Sequence, residues 1–145
     1  MTGLEQNVLY PFEIVIAGVP VSSQGSSGSK ERWKATVRRS GQDRARETDE
    51  VGFLHACPVA LTIYYLPGAP MIGDVDNIVK PIMDALIDVA YRDDRLVERV
   101  VVQKFEPGIE REFEKPSEQL ARALDSLPPV VYIRVDDDLS WRKVR

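Results

Sequence analysis

Over residues 58–66, bulky apolar residues alternate with Ala60, Thr62 and Tyr64. Successive side chains of a strand point to opposite faces, so Val59, Leu61, Ile63 and Tyr65 would share one face. The alternation therefore predicts a strand with one firmly apolar face. Runs rich in β-branched and aromatic residues predict three more strands, over residues 12–18, 96–106 and 130–135.

The predicted strand over residues 96–106 contains an unbroken apolar run. Val100, Val101 and Val102 follow one another without a polar residue between them. Such a run is typical of a strand that is buried on both faces. The sequence therefore predicts a central position for this strand in the sheet.

A helical period follows the second predicted strand. The apolar positions that would share one helix face are Ile78, Ile82, Leu86 and Val89. They predict a helix over about residues 77–89, with Asp76 or Asn77 as its N-cap. Pro81 near the first turn removes a backbone donor there, and we expect it to bend the start of the helix.

Two further helices are predicted on either side of this one. Trp33 and Val37 lie one turn apart in a predicted helix over about residues 30–41, and Trp33 is interpreted as a core residue. Gly41 suggests a break, with a second helical piece running toward His55. Residues 117–125 predict a short helix that Ser117 caps.

The order of these elements is β-α-β-α-β-α-β. It predicts an α/β (α+β) fold, with a mixed four-stranded β-sheet and helices packed on it. The 145 residues are enough for one domain with a real core, spanning residues 1–145.

The composition limits the cellular compartment and the kinds of metal site that we expect. The single cysteine, Cys57, excludes an intrachain disulfide, which favours a reducing compartment. The N-terminus lacks a basic region and a signal-type cleavage pattern, and no apolar run approaches the roughly 20 residues that cross a bilayer. We therefore expect a cytoplasmic protein with no membrane contact. The lone histidine, His55, excludes a multi-histidine zinc site within the chain.

Charge is unevenly distributed. The net charge is −4, which counts against nucleic-acid binding because phosphate contacts supply much of its affinity. Residues 30–46 nevertheless carry seven basic residues against two acidic ones. This stretch is either the solvated face of a helix or a DNA-binding surface. The candidate DNA-binding residues are Lys30, Arg32, Lys34, Arg38 and Arg39. A serine- and glycine-rich stretch over residues 22–29 precedes them and is a connector by composition.

The candidate chemistry lies between the second strand and its helix. Asp74 and Asp76 are two residues apart, and in an extended segment both carboxylates would leave the same side of the backbone. Two such carboxylates suit a hard cation such as Mg²⁺, but aspartates also occur in turns and caps, where they accept hydrogen bonds from their own backbone. An EF-hand loop is excluded, since Ile78 and Ala85 stand where it needs oxygen ligands.

Lys80 lies four residues from both Asp76 and Asp84. On spacing alone it belongs to an ordinary surface ion pair. Its alternative role is to offset negative charge on a reacting phosphate.

The residues Asp74-Val-Asp76-Asn77, Lys80, Asp84-Ala-Leu86 and Asp93-Asp94 resemble the core of RusA-type Holliday-junction resolvases. The resemblance is specific over about residues 74–104. It implies a small α/β homodimer with Mg²⁺-dependent endonuclease activity on four-way DNA junctions, with Mn²⁺ as an alternative ion. By position, Asp74, Asp76 and Asp94 would be catalytic metal ligands, and Lys80 would be the catalytic lysine.

Two other hypotheses remain beside this one. A non-catalytic DNA-binding or regulatory relative would keep the fold, and the acidic balance favours it. A phosphotransfer enzyme would use Asp74 as nucleophile and Asp76 as acid. It is disfavoured because Ile78, four residues after Asp74, has no hydroxyl group.

Overall fold

One mixed four-stranded sheet organises the chain. The computed structural model describes residues 10–48 and 56–144. The strands lie in the order β1-β4-β2-β3, with β4 antiparallel to both neighbours and β2 parallel to β3. Their bounds are β1 Phe12–Ala17, β2 Val59–Leu66, β3 Val97–Lys104 and β4 Val130–Asp136. The predicted mixed sheet and the predicted strands are confirmed.

Three α-helices complete an α+β fold, as predicted: α1 Ser27–Thr48, α2 Val79–Ala85 and α3 Glu118–Asp125. Helices α1 and α2 pack with one face of the sheet in the main core, which contains the alternating side chains of β2. Helix α3 packs on the other face through Ala123, beside Tyr132. The Ser117 hydroxyl accepts a hydrogen bond from the Leu120 backbone N–H at 3.1 Å, which confirms the predicted cap. No helix of the described residues is long and apolar enough to cross a membrane.

Strand β3 lies at the edge of the sheet, so the predicted central position is wrong. None of its residues is fully buried, and Val100 is 39% exposed. The valine run reflects the strand preference of β-branched side chains on a half-buried surface rather than burial on both faces. Strand β4, which returns from the far end of the chain, takes the central place beside β2.

Helix α1 continues through Gly41, so the predicted break there is wrong. Gly41 is buried, and a Cβ atom built on it would lie 2.6 Å from Cγ1 of Val89. The glycine therefore permits close packing against the segment that follows α2. Trp33 is buried, as predicted. Residues 42–48, where a second helical piece toward His55 was expected to begin, continue α1, and residues 49–55 lie outside the described ranges.

The predicted helix over residues 77–89 is shorter than expected. A 3₁₀ helix, Val75–Ile78, precedes α2, and α2 ends at Ala85. Tight turns follow, in which Asp88 has a positive φ of 62°. The apolar stripe remains buried throughout: Ile78, Ile82, Leu86 and Val89.

Candidate active site

The 3₁₀ helix Val75–Ile78 carries the aspartate pair beside β3. Asp74 is extended at its N-cap position, with φ −99° and ψ 143°, and Asp76 lies in its first turn. The expectation of one extended segment therefore holds for Asp74 alone. The Asp74 side chain makes no capping hydrogen bond. Within the described ranges, neither carboxylate accepts a hydrogen bond or joins an ion pair, which argues against the turn-and-cap interpretation.

Asp93 and Asp94 have different partners although they are adjacent. The Asp93 carboxylate accepts hydrogen bonds from the Arg95 backbone N–H at 2.9 Å and from Arg95 Nε at 3.0 Å. It caps a 3₁₀ turn, Asp94–Leu96, that leads into β3. These bonds hold the pKa of the Asp93 carboxyl below its ordinary value, the backbone bond most strongly. Asp94 instead accepts a hydrogen bond from Lys80 Nζ at 2.9 Å.

Lys80 joins two carboxylates. Its ammonium lies 2.9 Å from Oδ1 of Asp84 and 2.9 Å from Oδ2 of Asp94. Hydrogen bonds to Asp84, and then to Asp94, raise the pKa of Lys80 above its ordinary value. Lys80 is therefore a cation at neutral pH, located where α2 meets the start of β3.

The three candidate carboxylates do not by themselves form a complete metal-binding site in this structure. Among residues 10–48 and 56–144, no group of three or more His, Cys, Asp and Glu side chains could hold a metal ion. The donor chemistry still fits Mg²⁺, which usually takes one or two carboxylates and completes its shell with waters and substrate phosphates. Asp74 and Asp76 provide two such carboxylates without competing partners among the described residues.

The serine-rich segment contacts the aspartate motif. The Ser23 backbone N–H donates to the Asn77 carbonyl at 2.7 Å, and Lys30 Nζ donates to the Ser23 carbonyl at 3.2 Å. The start of α1 is thereby attached to the 3₁₀ helix that carries Asp76. Sequence reasoning missed this contact, because Ser23 and Asn77 lie 54 residues apart and no local pattern joins them.

The basic residues of α1 differ in their contacts. Arg38 donates to the carbonyls of Ala85 at 3.2 Å and Asp84 at 3.3 Å, so it caps the end of α2. Lys34 pairs with Glu31 at 2.8 Å, and Arg32 donates to the Ser29 hydroxyl at 3.3 Å. Arg39 is exposed, and within the described part of the chain it has no ion pair.

An apolar cleft is lined in part by residues 68–72, which come shortly before Asp74 in the sequence. It has a volume of about 370 Å³ and is lined by residues that include Tyr65, Met71 and Ile72. Its lining contains none of the four candidate residues. Asp74, Asp76 and Lys80 are exposed and Asp94 is half-buried, so the candidate residues lie at the surface of the protein.

Part of the chain is similar to a known protein family. The family model described as endodeoxyribonuclease RusA matches residues 68–111 of the chain. The matched segment contains all four candidate residues: Asp74, Asp76, Lys80 and Asp94. No curated protein matches the chain. Over these residues, which are less than half of the chain, the chain is similar to the RusA family of endodeoxyribonucleases.

Proposed function

From this RusA match, we propose that the chain is a Mg²⁺-dependent endonuclease of one domain, residues 1–145, that resolves Holliday junctions or related branched DNA. It would hydrolyse phosphodiester bonds in DNA recombination and repair. The observation that carries the proposal is that the matched segment combines two carboxylates without partners among the described residues, Asp74 and Asp76, with the Lys80–Asp94 pair.

Asp74, Asp76 and Asp94 are the proposed metal ligands. Their hard oxygen atoms suit Mg²⁺, and Mn²⁺ is the alternative ion. When bound, the ion supplies Lewis-acid stabilisation of phosphate charge and lowers the pKa of water. Asp76 lies in the first turn of a 3₁₀ helix, and the segment around it is anchored to β3 and to Ser23. Rigid support of this kind suits a site that must hold its ligands in place.

Lys80 is proposed to contact the scissile phosphate. Its side chain is 61% exposed, so the ammonium is accessible to a substrate. A preorganised cation stabilises the negative charge that grows on a phosphate in the transition state. Asp94 would lie next to both the metal and this cation.

Helix α1 is the proposed DNA-binding surface. Its candidate contacts to phosphates are Lys30, Arg32, Lys34, Arg38 and Arg39. The link from Lys30 through Ser23 to Asn77 connects the start of this helix to the candidate site. A strand that follows α1 would therefore be led toward Asp76. Binding should weaken steeply with salt, because phosphate contacts release counterions.

A homodimer fits the proposed substrate. Resolution of a four-way junction requires two symmetric cuts, and a two-fold dimer supplies one site for each.

Cleavage of a synthetic four-way junction tests the proposed function. We expect cutting with Mg²⁺ or Mn²⁺, none with EDTA, and little cutting of a linear duplex of the same sequence. Asp74→Asn is the inactive control. Junction binding without cleavage under all metal conditions would instead support the non-catalytic DNA-binding relative.

A further inference from the structure

We propose that Asp84 is a positioning residue that holds the Lys80 ammonium at the candidate site. This inference rests on the proposed function. Oδ1 of Asp84 lies 2.9 Å from Lys80 Nζ, and the two residues stand one helical turn apart on α2. Asp84 is not among the proposed metal ligands, so it acts only through Lys80.

The backbone that carries Asp84 is firmly held. Its carbonyl accepts a hydrogen bond from Arg38 Nη2, and the next carbonyl, that of Ala85, accepts one from Arg38 Nε. The preceding carbonyl, that of Met83, accepts a hydrogen bond from the Tyr91 hydroxyl at 2.7 Å. Asp84 therefore presents its carboxylate from a segment tied to α1 and to the turn before β3.

The two partners of Lys80 differ in what else they would bind. Asp94 is a proposed metal ligand, so its charge would be shared between the metal and Lys80. Asp84 has no such second duty, and it would remain beside the ammonium when metal and substrate arrive. A long lysine side chain otherwise loses rotamer entropy when it is fixed against a phosphate. Asp84 reduces that cost by fixing the ammonium beforehand.

The chain provides a matched control in Asp88. It lies four residues further on, in the turns that follow α2, is exposed, and within the described ranges forms no ion pair with Lys80. Its φ of 62° suits asparagine as well as aspartate, so Asp88→Asn removes the same charge without strain. A change that appears in Asp84→Asn and not in Asp88→Asn therefore reports the contact with Lys80 and not net charge.

Single-turnover junction cleavage at saturating protein and Mg²⁺ tests the role. Asp84→Asn should slow cleavage by about 10–100-fold, the range typical of residues that orient another side chain of the site through a hydrogen bond. Asp84→Glu should recover much of the loss, and junction binding should be unchanged. In a Lys80→Ala background, Asp84→Asn should cause no further loss, because the two residues act as one unit. An equal further loss in that background would overturn the inference.

NMR relaxation of the Lys80 ¹⁵Nζ group separates this inference from the proposed function, because it needs no activity. The order parameter should fall in Asp84→Asn and stay unchanged in Asp88→Asn. If the wild-type protein does not cut junctions, the proposed function fails and this measurement still decides the positioning role. An unchanged Lys80 order parameter in Asp84→Asn would overturn that role.

Discussion

Asp93 and Asp94 are neighbours in the chain, yet their carboxylates contact different groups. Asp93 accepts hydrogen bonds from Arg95 and starts the turn into β3, whereas Asp94 contacts Lys80. The resemblance to RusA-type resolvases implied the second aspartate of this doublet as a ligand. Both carboxylates already have a partner in this structure, Asp93 in Arg95 and Asp94 in Lys80, so the choice of Asp94 as the ligand stays a prediction.

Asparagine substitutions test this division. Asp94→Asn, like Asp74→Asn and Asp76→Asn, should abolish junction cleavage while the fold is kept, because a neutral amide binds a hard cation more weakly than a carboxylate. Asp93→Asn should still cut, since asparagine caps a turn as well as aspartate does. Cleavage rates and circular dichroism spectra of the four variants give the answer. Normal cutting by Asp94→Asn with loss in Asp93→Asn would reverse the assignment.

Charge reversal on α1 tests the DNA-binding surface. Arg39→Glu should weaken junction binding and flatten its salt dependence, since each lost phosphate contact removes roughly 0.9 from the log–log slope. Arg38→Glu should additionally lower stability, because Arg38 caps the end of α2. Binding titrations over a range of salt concentrations measure the slope.

Arg99→Glu is the matched control for this charge reversal. Arg99 is an exposed arginine on β3 that lines a groove with Ala60 and Thr62, on the face of the sheet opposite the core in which α1 packs. The control should bind like the wild type. If Arg39→Glu leaves the slope unchanged, the basic residues of α1 are only a solvated face.

Gly41→Ala tests the close packing between α1 and the segment after α2. Alanine in a helix interior normally stabilises by about 0.5–1 kcal/mol relative to glycine. Here the added Cβ would lie 2.6 Å from Cγ1 of Val89, and overpacking typically costs about 1–3 kcal/mol. We expect a lower free energy of unfolding in denaturant titrations. Val89→Ala in the Gly41→Ala background should recover part of the loss, and a stabilising Gly41→Ala would contradict the packing.

Gly41 also illustrates what the sequence could predict. Periodicity correctly identified the buried side of β2 and the apolar stripe from Ile78 to Val89, because both depend on local spacing. It misjudged Gly41, because a glycine that breaks a helix and one that admits a neighbouring side chain have the same local signature. Only the fold, which brings Val89 against α1, distinguishes the two.

The same limit applies to β3 and to the candidate site. A valine run indicates a strand, but its place in the sheet depends on β4, which pairs from far along the chain. The motif from Asp74 to Asp94 could be found from its spacing and its resemblance to a family. The contact of Ser23 with Asn77 and the capping of α2 by Arg38 could not, because each joins residues distant in sequence.

Substitutions of Lys80 distinguish its role in an ordinary ion pair from a role as a catalytic cation. If Lys80 only forms an exposed ion pair, Lys80→Ala should cost well under about 1 kcal/mol of stability and leave cleavage unchanged. As a cation on the scissile phosphate, its loss should slow cleavage by roughly 10²–10³-fold, the range for removing one preorganised donor. DNA binding should persist, because Lys80 is one basic residue among several.

Lys80→Arg is the finer variant. It keeps the positive charge but replaces a compact ammonium by a planar guanidinium with different donor geometry. The ammonium fits between Asp84 and Asp94 at 2.9 Å from each, so we expect arginine to restore cleavage poorly. Single-turnover cleavage at saturating protein and Mg²⁺, beside a binding titration, measures both variants. Near-wild-type cleavage by Lys80→Ala would exclude the catalytic role and leave the chemistry to the carboxylates and the metal.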